Sequence, residues 1–148
     1  SETVYNRPAN KFVAGFIGAP PMNFIDAKIV RGDSLMVDTG DFKFPLPEDH
    51  PAKALAGKDV TLGIRPEAIF DAKLNNPVAT TEYNTFEAKV DVLEPLGPEY
   101  TAYINSGTHD LLATIDSGTK IKEGERCKFL VNLDALHIFD NETELAVR

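Results

Sequence analysis

The feature that most restricts this chain is a two-residue apolar period, repeated in short runs and cut each time by glycine or proline. Phe86, Ala88, Val90 and Val92 alternate with Glu87, Lys89 and Asp91. Successive side chains of a strand point to opposite faces, so such a run buries one face and wets the other. Ile25, Ala27 and Ile29 alternate in the same way with Asp26, Lys28 and Val30. Gly32-Asp33 then predicts a turn and Leu35–Val37 the return; Thr39-Gly40-Asp41 predicts another turn, into Phe42–Phe44. The result is a three-stranded meander, closed by Pro45 and Pro47. Residues 50–58 predict a short helix or loop, and Val60, Leu62 and Ile64 alternate with Thr61, Gly63 and Arg65 up to Pro66. Residues 77–82 read as a loop between two halves and Pro95–Pro98 as a turn. Further strands are expected at Tyr100–Ile104, Leu111–Ile115, Lys128–Leu133, Leu136–Phe139 and Leu145–Val147. Short strands punctuated this often predict small β-barrels or a sandwich.

One segment departs from that period. Between Pro8 and Ile17, Phe12 pairs with Phe16 and Val13 with Ile17 at helical spacing, and Gly18 and Pro20-Pro21 end the run. A helix this short is marginal alone and needs a surface for its apolar stripe. The chain of 148 residues suits one domain or two very small ones. It opens on Ser1, and Glu2–Tyr5 read as the tail of an earlier element, so a fragment of a longer protein is expected.

Charge and motifs exclude several functions. With 23 acidic and 15 basic residues the net charge is −8, unsuited to a nucleic acid or an anionic membrane surface. No apolar run reaches the ~18 residues of a spanning helix. Cys127 is the sole cysteine, which rules out an intrachain disulfide and suits a reducing compartment. Gly57-Lys58 has Ala52 and Asp59 where a phosphate-binding loop needs Gly and Ser or Thr. Arg31–Ser34 spells an adhesion tetrapeptide but reads first as a hairpin turn. His50, His109 and His137 lack the close spacing of a metal pair, and His137, in an apolar context, reads as structural. No catalytic, cofactor or metal residues are assigned, and the chain itself is not expected to be an enzyme.

Four segments carry a resemblance, in order along the chain: Tyr5–Phe24, Leu62–Ile69 ("LGIRPEAI"), Glu94–Ile104 ("EPLGPEYTAYI") and Leu136–Thr143 ("LHIFDNET"). Together they resemble the region after the nucleotide-binding domain in ATP-binding subunits of carbohydrate ABC importers of the maltose and glycerol-3-phosphate type. The first matches at Tyr5, Pro8–Asn10, Phe12–Gly18, Pro20 and Met22–Phe24. Arg65, Pro66, Glu67, Gly97 and Glu99 occupy positions of the family's motifs; Ala68 replaces a common His, and Pro98 stiffens the turn before Glu99.

The resemblance implies a regulatory domain of the transport-associated OB type (TOBE). The expected fold is mainly β, with tandem or interleaved OB-like barrels and a short N-terminal helix. Residues 1–21 would be the interdomain helix and linker, and 22–148 the regulatory domain, in two β-halves near 22–76 and 83–148. Phe12, Phe16, Ile17, Met22 and Asn23 would make interdomain contact, with a plain core role for the apolar stripe as the competing reading. Implied partners are a second copy, the ATPase domain of the same subunit, membrane permease subunits and a regulatory protein, at the cytoplasmic face of the membrane. No cofactor is expected here; ATP and Mg would belong to the ATPase domain. The rival functions are a small-ligand sensor for an oxyanion or metabolite, and a nucleic-acid-binding OB domain, disfavoured by the acidic charge.

Overall fold

The computed structural model describes residues 9–11 and 21–148, so the apolar stripe of Phe12, Phe16 and Ile17 lies outside the described residues. Strands follow in chain order as β1 (Asn23–Arg31), β2 (Leu35–Asp38), β3 (Lys43–Pro45), β4 (Asp59–Ile64), β5 (Ile69–Asp71), β6 (Thr85–Leu96), β7 (Glu99–Asn105), β8 (Asp110–Asp116), β9 (Arg126–Val131) and β10 (His137–Asp140). They form two five-stranded antiparallel sheets, ordered β10-β4-β1-β2-β3 and β5-β9-β6-β7-β8. The chain divides into two compact units, one of residues 1–64 and 133–148, the other of 65–132. The barrels are therefore interleaved: the second unit is inserted between β4 and β10 of the first. The expected halves, 22–76 and 83–148, differ from these units at residues 65–76, which fall in the second unit, and at the C-terminal end, which returns to the first. The cause of the return is β10, which hydrogen-bonds to β4 with Ile138 opposite Leu62.

In the first unit, the meander forms as its period requires. β1 buries Asn23, Ile25, Ala27 and Ile29 and exposes Phe24, Asp26 and Lys28. Its turn at 31–34 is a hairpin closed by Gly32 N–H donating to Ser34 O at 3.2 Å. Leu35, Val37, Phe44, Val60, Leu62, Ile64 and Ile138 complete the core. β4 behaves differently from its simple alternation, because Thr61 and Gly63 are buried as well. Its second face is covered by the chain end: Phe139 packs over Gly63, and the Thr61 hydroxyl donates to Asn141 Oδ1 at 2.7 Å. Residues 50–58 contain a 3-10 turn, Pro51–Leu55, whose Ala52 N–H donates to His50 Nδ1 at 2.9 Å.

In the second unit, β8 lies against β5 and the 3-10 turn Pro66–Ala68, so the sheet curls into a nearly closed barrel. Phe86, Val90, Ile104, Ile115 and Phe129 fill it, with the rings of Phe86 and Phe129 5.8 Å apart. A bulge at Asp91 shifts the register between Val90 and Val92. Beyond it β6 no longer alternates, and β6 and β7 continue as a projecting hairpin arm. Strand pairing persists to Leu96 opposite Glu99, so the turn is confined to Gly97-Pro98 and is shorter than Pro95–Pro98. Gly97 takes φ +59°, which a glycine adopts without the Cβ penalty of other residues.

Two expected strand boundaries change. β9 ends at Val131 and is followed by a 3-10 turn, Leu133–Ala135. The strand expected at Leu145–Val147 exists as isolated bridges, because its peptide groups are divided between two partners. Val147 N–H donates to Ile138 O, whereas Ala146 N–H donates to Ala9 O.

Two titrating groups hold the meander and its exit. Glu48 accepts from Leu35 N–H at 2.9 Å and pairs with Arg31. The Leu35 bond, then the Arg31 bond, lower its carboxyl below the ordinary 4.5. Burial lowers the His50 imidazole below its ordinary 6.5, against a smaller opposing effect of Asp49. Both folded-state values lie below the unfolded ones, so both contributions are present at high pH and lost as pH falls. Urea unfolding should therefore weaken first as pH drops through and below 6.5, and again below 4.5. A His50→Asn variant, with a non-titrating cap, should flatten the first step only.

Candidate functional site

The first motif reaches the folded unit at both of its described ends. Lys11 N–H donates to Glu144 O at 3.1 Å, and Asn10 bridges to Leu145. Eleven residues beyond Lys11, Met22 is buried against Phe139, with Ala146 packed on the same cluster. Phe24 lies edge-on to Phe139 at 5.9 Å between ring centres, and the Lys11 ammonium sits 5.6 Å from the centre of the Phe24 ring. Residues 9–11, Met22, Phe24, β10 and the chain end thus form one platform. Leu145 and Phe24 leave apolar surface open on it, at 53% and 38% exposure. Asn23, placed among the interdomain contacts by resemblance, turns inward: its side-chain amide donates to Ile64 O at 3.0 Å, fastening the start of β1 to the end of β4. The two-residue period of β1, carried back from Ile25, places Asn23 on the inward face, whereas Met22 precedes the strand.

Gly63 makes the platform sterically feasible. A Cβ there would lie 2.5 Å from Met22 Sδ and 2.9 Å from Phe139 Cε2. The close approach of two side chains, not backbone dihedral strain, requires glycine here. Gly63→Ala should lower unfolding free energy by about 1–3 kcal/mol, the usual cost of overpacking, read from urea melts. Met22→Ala in the same background should recover part of the loss.

The remaining motif residues are dispersed over the second unit. Arg65 ends the β4 connection and its carbonyl accepts from Ala68 N–H at 2.9 Å, with Pro66 pre-shaping the 3-10 turn. Its side chain is 6% exposed, and burial pulls the guanidinium pKa down from the usual value. Glu67 faces solvent. Gly97 and Glu99 stand at the tip of the hairpin arm, with Glu99 opposite both Leu96 and Asp116. The motif positions therefore belong to separate places and assemble no catalytic constellation. Among the described residues no three His, Cys, Asp or Glu side chains converge as metal ligands.

A concavity of about 450 Å³ at one end of the second unit was not anticipated from the sequence. Asp71, Lys73, Leu74, Lys120, Ile121 and Cys127 are among its lining. Asp71 is held by Lys73 N–H at 3.0 Å and by the Thr119 hydroxyl at 2.6 Å. Burial, then Glu125 and Asp71, push the Cys127 thiol up, so it is a poor nucleophile at neutral pH.

Residues 18–69 match the family description "MalK OB fold domain". The trehalose/maltose import ATP-binding protein MalK of Thermococcus litoralis is 37% identical over 99% of this chain and 40% of its own length. The multiple sugar-binding transport ATP-binding protein MsmK of Streptococcus mutans is 38% identical over 99% of the chain and 39% of its own length. The oligosaccharides import ATP-binding protein MsmX of Bacillus subtilis is 35% identical over 98% and 40%. The chain thus spans about two fifths of the length of these relatives. In fold it is similar to the cytoplasmic molybdate-binding protein ModG, with a TM-score of 0.62 at 11% identity, covering 83% of this chain and 97% of that one.

Proposed function

As the chain belongs to the OB-fold region of the MalK-type sugar-import ATP-binding subunits, we propose that it is the regulatory and dimerisation domain of such a subunit. The observation that carries the reading is similarity over nearly the whole chain to proteins that extend well beyond it. Its work is mechanical. The platform of Met22, Phe24 and Phe139 anchors the segment that leads to the ATPase domain of the same subunit. Contact with a second copy then keeps two ATPase domains at an effective concentration in the millimolar range while they separate and close. ATP and Mg act in the ATPase domain, and this chain supplies no chemical step. The assembly is placed at the cytoplasmic face of the membrane, with permease subunits as further partners and a surface open to regulatory proteins. A regulator that fits one domain arrangement better than another shifts the cycle by that difference in affinity. Sedimentation equilibrium should find weak, concentration-dependent dimers. A strict monomer at millimolar concentration would count against the dimerisation role.

The 450 Å³ concavity supports a second reading, a small-anion sensor. Lys73, Lys120, Arg126 and Lys128 are among its lining, beside Asp71, Glu87 and Glu125, in a protein of net charge −8. Calorimetric titration with molybdate, sulfate and phosphate separates the two: saturable heat abolished by Lys73→Met with Lys120→Met favours the sensor, and no heat removes it.

A further inference from the structure

The outer surface of β6, β7 and β8 has a composition unlike the rest of the chain. Between Lys89 and Lys120 the sequence holds no Lys or Arg, yet it holds Asp91, Glu94, Glu99, Asp110 and Asp116. Strand register gathers these residues. On β7, Ala102 and Ile104 point into the core, so Glu99, Thr101, Tyr103 and Asn105 share the outer face. Opposite them stand Asp116, Thr114, Leu112 and Asp110 on β8, and Leu96, Glu94 and Val92 on β6. Lys89, opposite Asn105, marks the border.

At the centre of this face lies an apolar row, Val92–Tyr103–Leu112, running directly across three strands. Val92 is 41% exposed, Tyr103 is 37% and Leu112 is half-buried; Leu96, further along the arm, is 58% exposed. The bulge at Asp91 creates the exposure, because it turns β6 away from β9, where pairing ends at Lys89–Arg126. A groove of about 360 Å³ adjoins the row at Tyr103 and Leu112 and is lined also by Asp91 and Asp110. Glu94 stands beside the Tyr103 hydroxyl and raises its pKa above the usual value, and Asp110 accepts from the Asn105 amide at 2.8 Å. Aromatic and carboxylate groups thus neighbour one another on this face.

We propose that this face docks a basic protein segment, one with Lys or Arg flanking an apolar side chain that enters the groove beside Tyr103. Charge selects the occupant. A second copy applied by two-fold symmetry would set these carboxylates against their own equivalents with only Lys89, at the border, to offset them, whereas Lys and Arg would be drawn in and oriented. The apolar row supplies the anchor, and exposed tyrosines surrounded by a polar rim are a common energetic centre of protein contacts.

The inference rests on the reading of the domain as a docking module, but its test is separate from that of dimerisation. A short Lys/Arg-rich peptide with a central Leu-Phe pair is titrated into the ¹⁵N-labelled chain, beside a Glu/Asp-rich counterpart and poly-lysine. Saturable shifts confined to β6–β8, with the basic apolar peptide favoured over poly-lysine, support the proposal. Tyr103→Ala should weaken that binding about tenfold. The Asp91→Asn, Glu94→Gln, Asp110→Asn triple variant should remove most of its salt dependence. Both variants alter exposed side chains, and amide spectra report whether each remains folded. Equal binding of the acidic peptide, shifts centred elsewhere, or self-association abolished by Tyr103→Ala would overturn the proposal. So would loss of the peptide site in the intact subunit.

Discussion

The pairing of β4 with strands on both of its edges is the constraint from which the rest of this architecture follows. β1 reaches it through a local meander, but β10 arrives only after the whole second unit has been made. Closing so long an intervening segment costs conformational entropy that grows slowly with length. That modest growth is what makes an inserted barrel affordable. The return is burial of β4 on both faces, with Leu62 and Ile64 inward and Thr61 and Gly63 beneath Asn141, Met22 and Phe139.

The same pairing builds the platform. Without β10 there would be no Phe139 for Met22 and Phe24 to meet, and no chain end for residues 9–11 to bond. Residues 9–11, near the N-terminus, are thus secured by residues near the C-terminus. For a domain proposed to pass motion rather than perform chemistry, this is an effective place to invest packing. A firmly seated joint transmits a displacement that a loose one would absorb. The far half of β6 shows the opposite treatment. Past the bulge at Asp91 it no longer pairs with β9, and its own side chains are exposed or half-buried.

The similarity to sugar-import ATP-binding subunits and the geometry agree in kind. The motif positions Arg65, Pro66, Glu67, Gly97 and Glu99 serve a turn, a buried cation, an exposed acid and a hairpin tip. None requires a reacting substrate. Shape and charge at surfaces are what the described residues offer, and the basic-partner proposal follows from that.

The two-residue period by itself determined the strands, their inward residues and the turns at Gly32, Gly40 and Gly97, because side-chain alternation and backbone sterics act within a few residues. The four family segments likewise made the OB-type architecture legible. What only the tertiary structure decided was contact between distant residues. The partnership of β10 with β4 redrew the two units. The crowding at Gly63, the concavity of the second unit and the register that aligns Val92, Tyr103 and Leu112 also emerged only there. No local pattern encodes these, since each depends on which strand lies alongside, and that choice is made by the packing of the whole sheet.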